Sequence, residues 1–357
     1  MKKHNFSSGP AILPQSVFAQ AAEAVKELPG TGLSILEISH RSPTFTKILE
    51  KAIELPKTLL GLDDSYEVLY LTGGASSQFY MVPMNLLGEN EVAGYIDTGT
   101  WSTKAIKEAQ LFGGVKVLAS SKAENFNYIP KDFTINEKLK YLHITSNNTI
   151  IGTQYKAWPE VDCPLVVDMS SDIFSRPMDL GPLGLIYAGA QKNLGPAGTT
   201  MVIVKKSLLG TIDRAIPTML DYRTHVAKQS SFNTPPVFPI YVAMLNLQWI
   251  LEQGGLSEME KRNQHKSDLI YDIIDHYDLF KGVVKKEDRS VMNATFFLEK
   301  PELNDHFFQM CTEANISTIN GHRTVGGFRA SMYNALPYES VEVLADVMQK
   351  FAKKYAG

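Results

Sequence analysis

The stretch IYAGAQKNLGPAG, residues 186–198, decides how the rest of the sequence is interpreted. It begins as a short apolar run typical of a buried strand, passes a single lysine, Lys192, and ends in glycine and proline. Glycine and proline interrupt regular structure directly after the lysine. A lysine in a loop is usually exposed to solvent, so any function for Lys192 depends on what the neighbouring segments provide.

Short apolar runs alternate with helical or loop segments on both sides of this stretch. Helices are predicted over 16–28, stopped by Pro29-Gly30, and over 43–60, where Pro56 predicts a kink. The predicted strands are EVLYLT (67–72), VAGYID (92–97), KYLHIT (140–145), PLVVD (164–168, followed by the small polar residues of MSS), LIYAGAQK (185–192) and TTMVIVKK (199–206). This alternation predicts an α/β domain with a mostly parallel sheet.

The order of predicted elements changes from about residue 255. From there a helix, a strand, a second helix and a polar turn follow one another before an amphipathic helix over 338–355. A chain of 357 residues is long enough for two domains. We therefore predict a large α/β domain over 16–254, and a smaller α+β domain formed by 1–15 together with 255–357.

Composition limits the possible partners. A net charge of -3 gives no electrostatic reason to expect nucleic acid, and no apolar run approaches the roughly 18 residues that span a membrane. The two cysteines, Cys163 and Cys311, lie far apart, so we expect no disulfide framework and a location in the cytoplasm. Glycine-rich nucleotide-binding motifs and zinc motifs are missing, and no metal is expected.

Residues suited to bind a ligand lie at or just after the ends of several predicted strands. They are the glycine-rich turn 73–77, Trp101, Thr149, Asp168 and Lys192, and ligands collect at the carboxyl ends of parallel strands. Pyridoxal phosphate (PLP) needs such a set: a lysine that condenses with its aldehyde, a carboxylate for its ring nitrogen, an aromatic ring and a phosphate cup. The residues therefore favour PLP as cofactor.

Each of these residues also has a simpler interpretation. Asp168 could cap a turn, Trp101 could be part of the core, and the segment TGGASS could be an ordinary strand-to-helix turn. The order of the residues supports the cofactor site, because the separation of 24 positions between Asp168 and Lys192 suits two neighbouring strand ends.

Longer motifs carry a family resemblance that covers nearly the whole chain. They are SHR (39–41), DMSSDIFSRP (168–177), YAGAQKNLGPAG (187–198), FNTPP (232–236) and GHRTVGGFRASMYNA (321–335). In these motifs the sequence resembles the phosphoserine-forming members of the class V aminotransferases, which are PLP-dependent transferases of fold type I. The resemblance implies a large, mostly parallel-sheet domain and a smaller α+β domain.

The resemblance also implies roles for the strand-end residues. Lys192 would bind PLP covalently and act as the proton carrier, and Asp168 would pair with the pyridine nitrogen. Trp101 would stack on the ring, Thr149 would hydrogen-bond near the ring hydroxyl, and Gln191 would contact the phosphate.

The phosphate cup is where the chain departs from part of the family. Ala75 and Ser76 would lie in the cup, and Asn233 and Thr234 would complete it from the second subunit of a homodimer with shared active sites. Some relatives have Gly-Arg in place of Ala75-Ser76, so this chain lacks a cation near the phosphate.

Two His-Arg pairs, His40-Arg41 and His322-Arg323, lie in polar turns, and Arg329 follows the second pair. Arginine binds carboxylate and phosphate through two parallel hydrogen bonds, so these residues predict an anionic substrate unless they are simple surface charges. The resemblance implies that Arg329 binds the α-carboxylate and that the two pairs bind the distal anion.

The implied reaction transfers the amino group of L-glutamate to 3-phosphohydroxypyruvate and gives O-phospho-L-serine and 2-oxoglutarate, with 4-phosphohydroxy-L-threonine as a side substrate. The alternatives are an aminotransferase for small amino acids, a cysteine desulfurase-like lyase, or a non-catalytic binding protein. A desulfurase needs a nucleophilic cysteine on a mobile loop, and neither Cys163, before a strand, nor Cys311, in a predicted helix, suits that role.

Overall fold

The computed structural model describes residues 3–355. Its α-helices are α1 (Gln15–Lys26), α2 (Pro43–Leu60), α3 (Gln78–Leu86), α4 (Thr100–Ala109), α5 (Tyr222–Ala227), α6 (Val237–Glu252), α7 (Gly255–His276), α8 (Asn304–Glu313) and α9 (Tyr338–Tyr355). Its strands are β1 (His4–Asn5), β2 (Tyr66–Thr72), β3 (Val92–Asp97), β4 (Gly114–Ser120), β5 (Leu142–Thr145), β6 (Leu165–Asp168), β7 (Leu183–Gly189), β8 (Thr199–Lys205), β9 (Phe280–Gly282), β10 (Asn293–Leu298), β11 (Ile316–Ser317) and β12 (Phe328–Ser331).

The main sheet has seven strands in the order β2-β8-β7-β6-β5-β3-β4. Only β8 runs against its neighbours β2 and β7, and the other pairings are parallel. The strands β2 to β7 therefore all end at the same edge of the sheet. The predicted α/β class with a mostly parallel sheet is confirmed.

Helices cover both faces of this sheet. Successive side chains of a strand point to opposite faces, so strands with continuous apolar runs present apolar residues on both sides. On β6, Leu165 and Val167 pack in the core formed with α1, α2 and α6, whereas Val166 packs in the core formed with α3, α4 and α5. Asp168 follows the alternation of Val166, so its carboxylate lies on the side of α3 and α4. All four β6 residues are buried, as expected for a strand covered on both faces.

A second core lies outside the main sheet and packs around the three-stranded antiparallel sheet β12-β10-β9. It contains Phe6 from the start of the chain, and β1 pairs with β11. Helix α7 joins the two cores, because Leu256 and Met259 pack in the main core and Ile270 packs in the second. The boundaries proposed for the two domains stay a prediction, and residues 1, 2, 356 and 357 lie outside the described part.

Helix ends follow local chemistry. Helix α2 begins where the Ser42 side chain accepts a hydrogen bond from the Phe45 amide at 3.2 Å, continues through Pro56, and ends at Gly61 with φ of 66°. Helix α1 ends at Lys26, two residues before the predicted end, because the Leu28 amide instead donates to the Leu33 carbonyl at 2.7 Å.

The final helix occupies 338–355 as predicted. Among residues 3–355, no helix combines the length and the apolar character that a membrane crossing requires.

Candidate active site

A cavity of about 230 Å³ lies at the carboxyl edge of the main sheet. The loops that follow β2, β3, β5, β6 and β7 contribute to its wall, together with residues from the start of the chain and from the C-terminal region. The predicted site residues that line this cavity are Ala75, Ser76, Trp101, Thr149, Asp168, Gln191, Lys192, His322 and Arg329. The structure thus brings together residues that are up to 254 positions apart in the sequence (329 − 75).

The other predicted site residues do not line the cavity in a single chain. Arg41, Asn233, Thr234 and Arg323 are exposed, and His40 is half-buried. Arg41 Nε donates a hydrogen bond to Nε2 of its neighbour His40 at 3.4 Å, and neither residue lines the cavity.

Lys192 lies in the turn after β7. Its Nζ donates a hydrogen bond to Thr149 Oγ1 at 2.6 Å and lies 5.6 Å from the centroid of the Trp101 ring. Burial lowers the pKa of Lys192 to about 8, while the nearby carboxylate of Asp168 acts in the opposite direction. A lysine with this pKa is about one-tenth neutral at pH 7, far more than a lysine of ordinary pKa, and the neutral amine is a base and a nucleophile.

Asp168 ends β6 and is 6% exposed. Its Oδ1 accepts hydrogen bonds from the Ser170 amide at 3.0 Å and from Ser170 Oγ at 2.7 Å. Burial raises the pKa of Asp168, and the charge of Lys192 and the bonds from Ser170 oppose that shift. Within residues 3–355, Oδ2 receives no hydrogen bond, so it can accept one from a cationic N–H group of a bound ligand.

Arg329 reaches the cavity from β12 and is 9% exposed. One guanidinium nitrogen donates to the Thr149 carbonyl at 3.0 Å, and another donates to Ser8 Oγ at 2.7 Å. Among the described residues it has no carboxylate partner in an ion pair. A buried guanidinium with free donors is suited to bind an anionic ligand.

Trp101 lies in the first turn of α4, and Asp97 at the end of β3 fixes that turn. Asp97 Oδ1 accepts hydrogen bonds from Ser102 Oγ and Thr103 Oγ1, both at 2.9 Å. Trp101 Nε1 is buried and has no hydrogen-bond partner in the described part of the chain. The indole ring also attracts Lys104, whose Nζ lies 4.9 Å from the ring centroid.

The cavity wall also contains residues that were not predicted from the sequence: Ser8, Gly9, Phe79, Ile150 and Ser170. Gly9 has φ of 140°, and a Cβ at this position would lie 3.2 Å from Lys192 Cγ, so glycine leaves room for the lysine. Ser8 and Gly9 belong to the segment SSGP near the start of the chain. That segment has the serine and glycine composition of a binding turn, but its sequence gives no sign that it reaches Lys192.

Within residues 3–355, no group of three histidine, cysteine or acidic side chains is arranged to hold a metal ion.

Comparison with known proteins identifies the family. A model of the family "Aminotransferase class-V" matches residues 3–344. The chain belongs to this family, and the enzyme class expected from the sequence motifs is confirmed.

The relatives that are similar over the whole chain are phosphoserine aminotransferases. The protein of Flavobacterium psychrophilum is 56% identical over 355 residues, which covers 99% of this chain and 100% of the relative. The protein of Parabacteroides distasonis is 53% identical over 357 residues with the same coverage. The resemblance inferred from the sequence is thereby confirmed.

Solved structures agree with these relatives. Phosphoserine aminotransferase from Bacillus circulans subsp. alkalophilus is 45% identical, with a TM-score of 0.96 and coverage of 99% of both chains. PLP-bound phosphoserine aminotransferase from Trichomonas vaginalis is 35% identical, with a TM-score of 0.93, and the match covers 98% of this chain and 100% of that structure.

Proposed function

We propose that this protein transfers the amino group of L-glutamate to 3-phosphohydroxypyruvate and forms O-phospho-L-serine and 2-oxoglutarate, with PLP as cofactor and 4-phosphohydroxy-L-threonine as a side substrate. The observation that carries the proposal is the meeting of Lys192, Asp168 and Arg329 at one cavity. The names of the relatives support the phosphorylated product, and the PLP-bound relative supports the cofactor.

The cavity residues fit PLP. Asp168 offers a free carboxylate oxygen for a protonated ring nitrogen, and Lys192 offers an amine of lowered pKa for the aldehyde. Trp101 offers an aromatic face, and the segment with Ala75 and Ser76 lies just before the N-terminus of α3, which favours a phosphate. When bound, PLP supplies a pyridinium ring that accepts the electron pair left on the substrate Cα.

The residues of this chain would then divide the work. Lys192 Nζ removes the proton from the substrate Cα, and its hydrogen bond to Thr149 holds the amine in place. Asp168 stabilises the proton on the ring nitrogen, since a nearby carboxylate favours a cation. Gln191 contacts the cofactor phosphate, and Arg329 binds the α-carboxylate of the substrate.

The distal anion and part of the phosphate cup would be bound with the help of a second subunit. Asn233 and Thr234 lie outside the cavity beside Phe232, which is 43% exposed. His40 and Arg41 follow a turn in which Leu36 is 64% exposed. Contact with another copy of the chain at these two segments would cover both exposed apolar side chains. We therefore propose a homodimer with shared sites.

In this proposal the outer pairs His40-Arg41 and His322-Arg323 bind the phosphate of one substrate and the side-chain carboxylate of glutamate. Only His322 of these residues lines the cavity within one chain.

The two cysteines argue against a desulfurase. Burial raises the pKa of the Cys311 thiol to about 12 and raises that of the half-buried Cys163 as well. Neither residue lines the cavity. A thiol is a nucleophile mainly as the thiolate, so neither cysteine suits that reaction. The location in the cytoplasm stays a prediction.

Purified protein tests the proposal directly. We expect a yellow protein that borohydride bleaches irreversibly, and glutamate-dependent amination of 3-phosphohydroxypyruvate at least 100-fold more efficient, in kcat/KM, than that of pyruvate or glyoxylate. Similar efficiency with pyruvate would replace the proposal by an aminotransferase for small amino acids. A colourless protein that does not bind added PLP would refute the cofactor.

A further inference from the structure

Two buried asparagines meet next to the cavity. Asn193 directly follows Lys192, and Asn334 lies five residues after Arg329 in the sequence. They are 4% and 6% exposed. Asn193 Oδ1 accepts a hydrogen bond from the backbone N–H of Asn334 at 3.0 Å. This bond joins the segment that carries Lys192 to the segment that carries Arg329.

The same two side chains also hold the segment that carries Asp168. Asn193 Nδ2 donates to the Ile173 carbonyl at 2.6 Å, and Asn334 Nδ2 donates to the Phe174 carbonyl at 2.8 Å. We call Asn193, Asn334 and these two carbonyls the asparagine clasp. The clasp is therefore a single point at which the three segments that carry Asp168, Lys192 and Arg329 are tied together.

Two long helices support the clasp. Asn263 of α7 is fully buried and donates to Asn334 Oδ1 at 2.8 Å. Asn246 of α6 donates to the carbonyls of Asn193 and Leu194, at 3.1 and 2.8 Å. The clasp is thus fixed to the body of the protein as well as to the three segments.

The backbone at the clasp is strained. Phe174 has φ of 59° and is fully buried, and a left-handed conformation is unfavourable for a bulky residue with a Cβ. Such residues persist where the surrounding structure fixes them, and they concentrate at functional sites. The bond from Asn334 to the Phe174 carbonyl helps to hold this conformation.

Asparagine is suited to this position for a chemical reason. The side-chain amide of each of the two asparagines accepts a hydrogen bond from an N–H group and donates one to a backbone carbonyl at the same time. Aspartate has nearly the same shape but cannot donate, and its charge would face the carbonyl oxygen of Ile173.

We propose that Asn193 and Asn334 are positioning residues, which set the distance and angle between the Lys192 amine and the Arg329 guanidinium. This inference rests on the proposed function, in which Arg329 holds the α-carboxylate while Lys192 removes the proton from the neighbouring Cα. A displacement of about 1 Å between such groups can lower the rate about 100-fold.

The test compares Asn193→Ala and Asn334→Ala with the control Asn85→Ala. Asn85 is also buried, at 5% exposed, donates to the carbonyls of Met81 and Leu220 at 2.9 and 2.8 Å, and accepts from the Tyr222 amide at 3.0 Å. It therefore matches the clasp residues in burial and hydrogen bonding, but it holds α3 to the segment before α5. We expect similar losses of melting temperature in all three variants.

Activity should separate the variants. Well below the melting temperature, the two clasp variants should lose roughly 10- to 100-fold in kcat/KM for glutamate, and Asn85→Ala should lose less than threefold. Asn193→Asp should be as impaired as Asn193→Ala, because it lacks the donor. Should Asn334→Ala fail to fold, Asn334→Ser and Asn193→Asp provide the same comparison.

A second background shows whether the clasp acts through Arg329. In the Arg329→Leu variant, the further change Asn334→Ala should lower kcat/KM less than threefold, because the guanidinium that the clasp positions is already absent. Losses that multiply in the double variant, or equal losses in Asn334→Ala and Asn85→Ala, would overturn the inference.

A spectroscopic measurement separates this inference from the proposed function. The pH midpoint of the absorbance of PLP attached to Lys192 needs no turnover, and the clasp variants should shift it while Asn85→Ala does not. A wild-type protein that binds PLP but does not transaminate refutes only the proposed reaction. Unchanged midpoints and activities in the clasp variants refute only the clasp.

Discussion

The inner and outer parts of the candidate site are built differently. The inner residues Asp168, Thr149 and Arg329 are all less than 10% exposed, and hydrogen bonds tie Thr149 to both Lys192 and Arg329. The outer residues include Arg41 and Thr234, which are exposed and lie outside the cavity. One chain therefore positions the inner part by itself, whereas the outer part lacks the contacts that would define its geometry.

In the proposed function, this difference separates the residues that carry out the reaction from those that select the substrate. Burial lowers the pKa of Lys192 and raises the pKa of Asp168, and perturbed pKa values of this kind are typical of active-site groups. An exposed cationic side chain has a small desolvation penalty, and it can move to fit anions of different shape. That suits the proposed substrates, one of which carries a phosphate and the other a side-chain carboxylate.

The largest effect is expected from mixing two inactive variants. Thr234→Asp would place a carboxylate against the cofactor phosphate, and Lys192→Ala removes the amine, so each homodimer should be nearly inactive. If Thr234 acts on the partner's site, a heterodimer contains one intact site and one site with both defects, by two-fold symmetry. Differentially tagged heterodimers should recover about half of the wild-type activity, more than 100-fold above either parent. No recovery would place the whole site within one chain.

Replacement of Asp168 by asparagine tests the inner part. The asparagine side chain keeps the shape of aspartate but carries no charge to stabilise a protonated ring nitrogen. Removing one partner of a buried ion pair costs about 3–5 kcal/mol. We expect a roughly 100- to 1000-fold loss of turnover with PLP still bound. Steady-state assays and the absorbance of the purified variant measure both quantities. Turnover within threefold of wild type would remove Asp168 from its proposed role.

The two arginines compare the inner and outer parts directly. Arg329→Leu should lower kcat/KM about 100-fold for every amino-acid donor, because all carry an α-carboxylate, and truncating a buried charged pair costs about 2–5 kcal/mol. Arg323→Leu should weaken glutamate and 3-phosphohydroxypyruvate roughly tenfold and leave alanine almost unchanged. Equal losses for all substrates in both variants would contradict the separate assignments.

The smallest effect concerns pH. Lys192 is protonated below its pKa of about 8 and neutral above it, so capture of PLP by the apoprotein should accelerate about tenfold per pH unit below pH 8 and level off above. Asp168 helps to keep that pKa up, and Asp168→Asn should move the midpoint to lower pH. Stopped-flow absorbance measures the rate, with the exposed Lys107→Gln as control. A rate still rising tenfold between pH 9 and 10 would show that burial does not lower the pKa of Lys192.

Much of the fold could be predicted because its signals are local. Alternation of short apolar runs with helical segments predicted the parallel sheet, and the apolar spacing predicted the last helix at 338–355. The strand-end position of Asp168, and the placement of Lys192 at the same edge of the sheet, could also be predicted, since a parallel sheet brings the carboxyl ends of its strands together. The strand before Lys192 ends at Gly189, three residues earlier than the predicted end, and Lys192 lies in the following turn. Local patterns did not predict where α1 ends, because a hydrogen bond between Leu28 and Leu33 decided it.

The sequence by itself indicated the α/β architecture, the family and the candidate residues for PLP binding, because each is recognised from residue types and local motifs. Only the tertiary structure decided that Ser8 and Thr149 bind the guanidinium of Arg329, and that Asn193 and Asn334 tie three distant segments together. It also decided that His322 reaches the cavity while Arg323 beside it remains exposed. Such contacts depend on how separate elements pack against one another, and no short-range pattern in the sequence encodes that packing.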